Sequence, residues 1–385
     1  MEADRPRAQS LNRRALIAAT TGLVTLAFIY SPRVIREMRD FEVYWTAAAR
    51  ALERAPLYRT EDGHFQFKYL PAFAIASAPL ALMPLETAKR FWFLLSVTLI
   101  PSLVALSVLL LPELRRPPWI ISAAVIVIMG KFYGHELILG QVNLLFAVVV
   151  GAGIVAMRHS LDALAGGLFV AAVVVKPYAI LFLPWLLFTR GSRPLASVVI
   201  GGICVAAAPV GLYGATGTVA LYHGWWATVT ASTAPNLTNP DNVSVAAMFA
   251  RMLGEGNLAS VLAAVTSALL VAIACLAVIS GRGIERRESL EGALLLTLVP
   301  LLSPQGWDYV CLVATPAIAL LVNYDHRLPA GLRAVAWLAM LTIGFSLFDL
   351  MGRERYAIFM SWSAITICFL VVIATLVTIR RRRVA

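Results

Sequence analysis

Long apolar runs alternate with short polar connections along nearly all of the chain's 385 residues. A helix needs about 17–25 mostly apolar residues to cross a bilayer. Clear candidates for such spans are residues 15–31, 90–111, 195–213, 258–280, 331–349 and 356–379. Shorter apolar runs cover residues 119–133, 141–157, 161–175, 177–189, 290–302 and 306–322. The pattern predicts an all-α polytopic membrane protein with about twelve transmembrane helices.

Three backbone breaks interrupt the shorter runs, at Gly140-Gln141, Lys176-Pro177 and Ser303-Pro304. Short helices of this kind must be tilted, buried in the bundle or broken at mid-depth. Broken backbone at membrane depth is tolerated only where it faces protein or a wet cavity. We therefore expect the three breaks to face protein or water.

The distribution of basic residues predicts the orientation, because Lys and Arg accumulate in cytoplasmic loops. With the N-terminus inside, 18 of the 32 basic residues fall on the cytoplasmic side, 5 fall outside and 9 lie between Arg33 and Arg90. We expect both termini to be cytoplasmic, with residues 1–14 as a tail. Residues 15–31 are interpreted as a retained signal anchor.

Two polar segments, 32–89 and 214–257, are predicted to be outer loops of a single domain covering 1–385. Residues 40–54 have helical periodicity, and we expect a helix lying flat on the outer leaflet. Its apolar face would consist of Phe41, Tyr44, Trp45, Ala48 and Leu52. Residues 69–84 contain three prolines and are of modest length, so we place them at the outer interface.

Composition excludes a soluble globular protein. The mean hydropathy is +0.80 and only 14% of residues are charged, against roughly 25% in soluble domains. The net charge of +11 lies mainly in short loops, which suits anionic lipid headgroups rather than nucleic acid. Phosphate or headgroup binding would explain the nine basic residues between Arg33 and Arg90. The four cysteines lie in apolar runs, which predicts small buried side chains rather than disulfides or metal ligands.

Asp40 is the first candidate for chemistry, since it follows the first apolar run directly. Asp is favoured at the N-cap of a helix, and this purely structural role is one interpretation. The other is a general base at the membrane surface, kept ionised by Arg33, Arg36 and Arg39. A cap would also fix the side chain in place, so the two roles are compatible.

Lys176 is the second candidate, because a charged residue between two apolar runs is costly and usually functional. The alternative is a lysine that extends to the outer interface. His135, Glu136, Gln141 and Asn143 surround the Gly140 break and could bind sugar hydroxyls or cap a helix. A single His–Glu pair is too little to predict a metal site.

Further polar and aromatic residues cluster in the second outer segment and in residues 303–309: Trp225, Trp226, Asn236, Asn239, Asp241, Asn242, Ser244, Arg251, Gln305, Trp307 and Asp308. Aromatic rings beside amides suit carbohydrate, although interfacial anchoring also explains tryptophan. Asp308 must be wet or paired at membrane depth. The sequence has no phosphate-cradling glycine loop, nucleotide fingerprint or catalytic-serine motif, so we expect neither a soluble nucleotide donor nor a cofactor.

The order of these motifs resembles glycosyltransferase family 87, whose members include polyprenol-phosphate-mannose-dependent mannosyltransferases. The shared features are Asp40-Phe41 to Tyr44-Trp45, Pro56 to Tyr58, Phe67-Lys68-Tyr69 with Pro71, Pro79, Pro84 and Trp92, Gly140-Gln141 with Asn143, Lys176-Pro177, Asn242 to Ser244 followed by Arg251, and Ser303-Pro304 with Trp307. Each motif is weak alone, but together they cover nearly the whole chain.

The resemblance implies the C-type glycosyltransferase fold in the cell (inner) membrane. It also implies a polyprenyl-phosphate sugar donor, mannose or a similar hexose or pentose, and a lipid or glycan acceptor at the extracytoplasmic face. Asp40 would be the base of an inverting, metal-independent transfer. The implied phosphate ligands are Lys176, Arg251, Arg36 and Lys68. Candidate sugar or acceptor ligands are Tyr44, His135, Glu136, Gln141, Asn143, Asn242, Gln305, Trp307 and Asp308.

One departure and two other functions remain open. Some family members carry histidine after the Ser-Pro break, where this chain has Trp307-Asp308-Tyr309, so Asp308 offers an alternative base or a ligand for sugar hydroxyls. A transporter or flippase of a polyprenyl-linked or anionic lipid is the main alternative, and a membrane acyltransferase or ligase is a weaker one. Transporters often contain internal repeats and midplane polar residues. Here we find no convincing repeat, and the polar candidates gather on one face, which favours an enzyme.

Overall fold

The computed structural model describes residues 25, 28–29, 31–32, 34–281 and 286–381. Within these ranges the chain forms helices, turns and no strand, apart from one isolated antiparallel bridge between Asn242 and Trp307. The prediction of an all-α protein is therefore confirmed for the described residues. The predicted tail, 1–14, and nearly all of the predicted first span, 15–31, lie outside them.

The α-helices are α1 (Arg39–Leu52), α2 (Pro71–Ala76), α3 (Ala78–Ala81), α4 (Leu85–Leu109), α5 (Pro118–Leu139), α6 (Asn143–Arg158), α7 (Asp162–Val175), α8 (Phe182–Arg190), α9 (Leu195–Ala207), α10 (Val210–Thr233), α11 (Val245–Leu253), α12 (Asn257–Ile279), α13 (Glu288–Leu302), α14 (Thr315–Tyr324), α15 (Ala330–Phe345), α16 (Phe348–Met351), α17 (Arg353–Ser361) and α18 (Ala364–Arg381). Short 3-10 helices cover Thr60–Phe65, Pro177–Leu181, Ala234–Asn236, Asp308–Ala314 and Asp325–Arg327.

Four of these helices, α4, α5, α12 and α18, are long and apolar enough to cross a membrane. Helices α9 and α10 are bent by 83° relative to each other and would supply a fifth span if they act as one. Several apolar helices thus fit a multi-pass membrane protein. Twelve spans remain a prediction.

Some predicted helix limits are wrong. The run 119–133 is part of the 22-residue helix α5, so His135 and Glu136 lie inside a helix rather than at a turn. They are tolerated there because Asp308 pairs with His135 and Asn143 donates to Glu136. The run 356–379 is divided between α17 and α18, with Ser363 at φ 54° between them.

The second outer segment, 214–257, is mostly helical rather than an extended loop. Helix α10 continues through a kink at Gly214, where φ is 68°, and α11 follows after a short turn. Thr218 and Leu221 of α10 are buried, one turn apart on one side of the helix. Helices α10 and α11 are apolar on average, and most of the amide and acidic side chains that suggested a loop lie between them, in 234–244.

A helix is confirmed where residues 40–54 predicted one, although α1 begins at Arg39 and ends at Leu52; its position on the outer leaflet stays a prediction. Its buried residues are Phe41, Tyr44, Ala47, Ala48 and Ala51, while Leu52 is exposed. The N-cap is Met38, so the N-cap interpretation of Asp40 is wrong. Residues 69–84 form only α2 and α3, of 6 and 4 residues, and neither is long enough to cross a bilayer.

The three predicted breaks are confirmed as helix ends: α5 ends at Leu139, α7 at Val175 and α13 at Leu302. At the other end of α7, a buried ion pair joins this helix to α8. A second buried ion pair joins the other end of α13 to α18. Arg190 Nε lies 2.6 Å from Asp162, and Arg380 lies 3.1 Å from Glu291. Breaking such a pair leaves a buried charge and is strongly destabilising.

The cysteines differ in burial. Cys311 and Cys368 are buried as predicted, whereas Cys204 and Cys275 are exposed on α9 and α12. Both exposed cysteines lie on apolar helices whose outer faces contain leucine, isoleucine and valine. All four are free thiols.

Candidate functional site

The three helix breaks meet at one cleft of about 580 Å³. Leu139 and Gln141 from the first break, Lys176 and Pro177 from the second, and Ser303 and Pro304 from the third all line it. Helix α1 closes one side through Asp40 and Tyr44, and α10 contributes Trp225, Val229 and Thr233. Broken backbone therefore faces a cavity, as expected of a membrane protein.

Asp40 lies in the first turn of α1 and lines this cleft. Its Oδ2 accepts a hydrogen bond of 2.6 Å from the side-chain amide of Gln141. Burial raises the pKa of Asp40, while the Gln141 hydrogen bond and the positive charges of Lys176, His64 and Lys68 oppose the rise. Among the described residues, Oδ1 accepts no hydrogen bond, so one carboxylate oxygen remains available to a ligand.

A continuous chain of hydrogen bonds connects Lys176 to Asp40. Lys176 Nζ donates to the Tyr69 hydroxyl at 2.9 Å, which lies 2.8 Å from the Tyr44 hydroxyl. Tyr44 donates to Gln141 Oε1 at 2.9 Å, and Gln141 Nε2 donates to Asp40. A cation at one end and a carboxylate at the other fix the direction of every donor between them.

The position of Gln141 depends on the turn that precedes it. Gly140 has φ 69°, a left-handed conformation that favours glycine and ends α5. Trp92 Nε1 donates to the Gln141 carbonyl at 3.3 Å, and Gln141 Nε2 also donates to the Tyr309 hydroxyl at 3.2 Å. The amide is thus held from several sides while it contacts Asp40.

Two of the four predicted phosphate ligands line the cleft, namely Lys68 and Lys176. Burial lowers the pKa of Lys176 to about 8, against the raising effect of the Glu136 and Asp40 charges. Burial likewise lowers the pKa of Lys68. A bound anion would stabilise the cationic form of both lysines and so oppose the effect of burial.

The other two predicted phosphate ligands do not line the cleft. Arg36 is exposed, and its Nε donates to the Pro32 carbonyl at 3.1 Å. Arg251 donates to the Asn239 carbonyl at 3.0 Å and to the Asn242 carbonyl at 2.7 Å. In this arrangement the Arg251 guanidinium holds a backbone turn.

The predicted sugar ligands divide into two groups. Those that line the cleft are Tyr44, His135, Gln141, Gln305 and Trp307, and those buried beside it are Glu136, Asn143, Asn242 and Asp308. Glu136 accepts hydrogen bonds from Asn143 Nδ2 at 2.8 Å and from the Leu144 amide at 2.9 Å. It therefore stabilises the beginning of α6 rather than contacting a ligand directly.

Asp308 is completely buried and lies 3.0 Å from His135 Nδ1 and 3.7 Å from Lys131 Nζ. The His135 ring makes an edge contact with Tyr309, whose centroid is 5.4 Å away. His135 is about one-third exposed and lines the cleft. Asp308 thus pairs with one imidazole nitrogen of His135, which orients the ring.

Sequence reasoning missed several residues of the cleft wall, notably Tyr69, Tyr309, His64 and Asp241 as individual ligands. Tyr69 belongs to the Phe67-Lys68-Tyr69 motif, and its position next to Lys68 could have identified it as a cleft residue. Tyr309 lies two residues beyond Trp307, and the two rings stack at 6.5 Å with an interplanar angle of 12°. Within the described ranges, no group of three His, Cys, Asp or Glu side chains is arranged to hold a metal.

Comparison with known proteins identifies the family to which the chain belongs. No curated protein and no solved structure matches the chain. The family model of glycosyltransferase family 87 matches residues 67–304, which is well over half of the 385 residues. That range contains Lys68, Gln141 and Lys176, and the resemblance read from the motifs is thereby confirmed. The chain belongs to glycosyltransferase family 87.

Proposed function

We propose that this glycosyltransferase moves a sugar from a polyprenyl-phosphate donor to a lipid or glycan acceptor, with inversion at the anomeric carbon and Asp40 as the general base. Mannose is the first sugar to test, followed by other hexoses and pentoses. The proposal includes the C-type fold, about twelve spans, cytoplasmic termini and an extracytoplasmic cleft in the cell membrane.

The observation that carries the proposal is the position of Asp40 in a cleft that also contains Lys68 and Lys176. A carboxylate with one unengaged oxygen can accept a proton from a hydroxyl. Two lysines within electrostatic reach of that carboxylate can offset the charge of a leaving phosphate. The cleft therefore contains a group for each of the two charges that the reaction develops.

The proposed reaction is a single displacement. The acceptor oxygen forms a bond to the anomeric carbon while Asp40 removes its proton. The bond from that carbon to the phosphate oxygen breaks, and polyprenyl phosphate leaves with the electron pair. Lys68 and Lys176 bind the departing phosphate, and Gln141 holds the carboxylate of Asp40 in line.

A lipid-linked donor fits the surroundings of the cleft. Helix α1 is amphipathic and carries Asp40 beside several helices able to cross a membrane. Trp225 and Trp226 lie on α10, and tryptophan is enriched at the membrane–water boundary. A polyprenyl chain could stay in lipid while its phosphate and sugar enter the cleft.

Transfer by the full-length protein in lipid nanodiscs tests the proposal. Radiolabelled polyprenyl phosphates carrying mannose, glucose or a pentose are supplied with a membrane lipid extract. We expect labelled product from one donor, with inverted anomeric configuration by NMR. Asp40→Asn should lower kcat by about 10²–10⁴-fold, and the exposed Glu53→Gln at the C-terminal end of α1 should be unaffected.

Two results would count against the proposal. Full transfer by Asp40→Asn would remove Asp40 as the base. Movement of the intact labelled donor across the bilayer of proteoliposomes, without covalent transfer, would favour a flippase.

A further inference from the structure

Asp241 lines the cleft but has no role in the proposed displacement reaction. Its backbone is fully used by the protein, because its amide donates to Asn239 Oδ1 at 3.0 Å and its carbonyl accepts from the Asp308 amide at 2.9 Å. Among the described residues, its carboxylate accepts no hydrogen bond and lies within 4.0 Å of no basic group. A half-buried carboxylate without a partner in a cleft is costly unless a ligand or water binds it.

The turn that carries Asp241 is held rigidly. The Val243 amide donates to the Gly306 carbonyl at 2.6 Å, and Asn242 Nδ2 donates to the Pro304 carbonyl at 2.8 Å. Arg251 binds the carbonyls on both sides of Asp241, those of Pro240 and Asn242. The carboxylate is therefore presented from a fixed backbone, as binding groups usually are.

The neighbourhood of Asp241 differs from that of Asp40. The charges that act on Asp241 are Asp308, His135, Lys131 and Arg251. Those that act on Asp40 are Lys176, His64 and Lys68. Lys68 and Lys176 line the cleft, whereas Lys131 and Arg251 do not, so an anionic phosphate in the cleft meets its cations near Asp40 rather than near Asp241.

The Asp241 region has the groups that bind a neutral sugar ring. A carboxylate accepts hydrogen bonds from two hydroxyls, and His135, oriented by Asp308 and close enough to act on the charge of Asp241, adds a second polar group that lines the cleft. Trp307 lines the cleft and stacks on Tyr309, which fixes its ring. Apolar and aromatic walls with a few placed polar groups are the usual construction of small-ligand sites.

We infer that Asp241 binds hydroxyl groups of a sugar ring, with Trp307 as the wall beside it, and thereby selects which sugar enters the reaction. This inference rests on the proposed glycosyl transfer. Because Lys68 and Lys176 take the phosphate, a donor would lie with its phosphate at the lysines and its sugar towards Asp241. A sugar of the acceptor offers the same chemistry and is the second possible source.

The test compares Asp241→Asn with Glu255→Gln, which removes an exposed carboxylate from the segment between α11 and α12. Equilibrium binding to full-length protein in nanodiscs is measured for polyprenyl phosphate and for polyprenyl phosphate carrying the sugar that the wild type transfers best. The wild type should bind the glycosylated lipid more tightly. Asp241→Asn should lose at least about tenfold of that preference, with unchanged affinity for polyprenyl phosphate and an unchanged melting temperature.

Kinetics assign the source of the sugar. A raised KM for the donor places its sugar at Asp241, whereas a raised KM for the acceptor alone places the acceptor's sugar there. Asp241→Glu, which keeps the charge but extends the side chain, should change the ranking of mannose, glucose and pentose donors. Asp241→Asn with the wild-type donor preference and wild-type KM values for both substrates would overturn the inference.

Failure of the proposed glycosyl transfer would be visible in the wild type, whereas failure of the Asp241 inference would be visible in the Asp241 variants. A wild type that transfers no sugar from any polyprenyl-phosphate donor contradicts the transfer itself. In that event mannose, glucose and a pentose on polyprenyl phosphate serve as binding probes without turnover. Equal binding of all three and of polyprenyl phosphate by the wild type would then overturn the role of Asp241 as well.

Discussion

The carboxylate of Asp40 and the side-chain amide of Gln141 lie 2.6 Å apart across 101 residues of sequence. The first residue belongs to helix α1, and the second follows the end of α5. This contact connects an amphipathic helix to the end of a helix long enough to span a membrane. It also gives the proposed base a fixed direction before any substrate binds.

Replacing Gln141 by leucine should weaken catalysis and shift its pH dependence. The lost hydrogen bond to a charged group corresponds to about 1.5–3 kcal/mol, so we expect kcat to fall by about ten- to a hundredfold. That bond lowers the pKa of Asp40, so its loss should raise the pKa further. The carboxylate would then become protonated at higher pH, so the acid limb of the pH–rate profile should shift to higher pH.

Gln305→Leu is the matched control, because Gln305 is a cleft amide that bonds Ser232, Thr233 and Lys68 rather than Asp40. It should leave the acid limb in place even if it changes KM. An acid limb that is identical in Gln141→Leu and the wild type would show that the Gln141 amide does not control the proton affinity of the base.

The wild-type pH–rate profile should be bell-shaped. Asp40 must be deprotonated to accept a proton, so kcat/KM should rise as pH passes its raised pKa. Lys176 must be protonated to bind phosphate, so kcat/KM should fall again above its pKa of about 8. Lys176→Arg keeps its charge to much higher pH, and whatever activity it retains should lack the alkaline limb. An alkaline limb unchanged in Lys176→Arg would assign that limb to another group.

Sequence patterns identified the features that depend on local chemistry. Helical periodicity located α1, and glycine or proline marked the three breaks that meet at the cleft. These signals are strong because backbone conformation at Gly140, or the missing amide of Pro177, restricts the chain whatever surrounds it. The apolar pattern also placed Asp40 in the first polar segment, directly after the first predicted span.

Roles that depend on tertiary packing could not be read from one sequence. Asn242 and Arg251 looked like ligands, but their polar groups bind backbone carbonyls of adjoining turns. Asp241, one residue before Asn242, is the side chain that lines the cleft. Neighbouring residues in a turn point in different directions, and only packing decides which one faces the cavity. For the same reason the partial burial of α10 was not foreseen.

Arg251→Ala tests whether this guanidinium holds the turn or binds phosphate. Its hydrogen bonds to the carbonyls of Asn239 and Asn242 and to the Ser363 hydroxyl join the turn to the junction between α17 and α18. Their loss should reduce the free energy of unfolding by about 1–3 kcal/mol, seen as a lower melting temperature in detergent. Affinity for polyprenyl phosphate should stay near that of the wild type.

Arg193→Ala is the control: it removes a mostly exposed guanidinium and should change neither the melting temperature nor the affinity for polyprenyl phosphate. If Arg251→Ala retained the wild-type melting temperature but bound polyprenyl phosphate weakly, Arg251 would be a phosphate ligand after all.

Gly140→Ala should damage both stability and activity, because two constraints act on this position. Its φ of 69° is strained for alanine, and an added Cβ would lie 2.8 Å from Met38 Cε and from Phe41 Cβ. We expect a loss of about 1–3 kcal/mol in the free energy of unfolding. Relief of the clash would push α1 away from the turn, so the Asp40–Gln141 contact should lengthen and kcat should fall.

Gly134→Ala provides the comparison within the same helix. Position 134 lies in the interior of α5, and a Cβ there meets no atom within 4 Å. Alanine favours a helix over glycine by about 1 kcal/mol, so this variant should melt at or above the wild-type temperature. Thermal melting of both variants, followed by transfer assays on the folded protein, separates the two sites. Equal melting temperatures and equal kcat in the two variants would mean that α1 does not depend on a glycine at position 140 to reach Gln141.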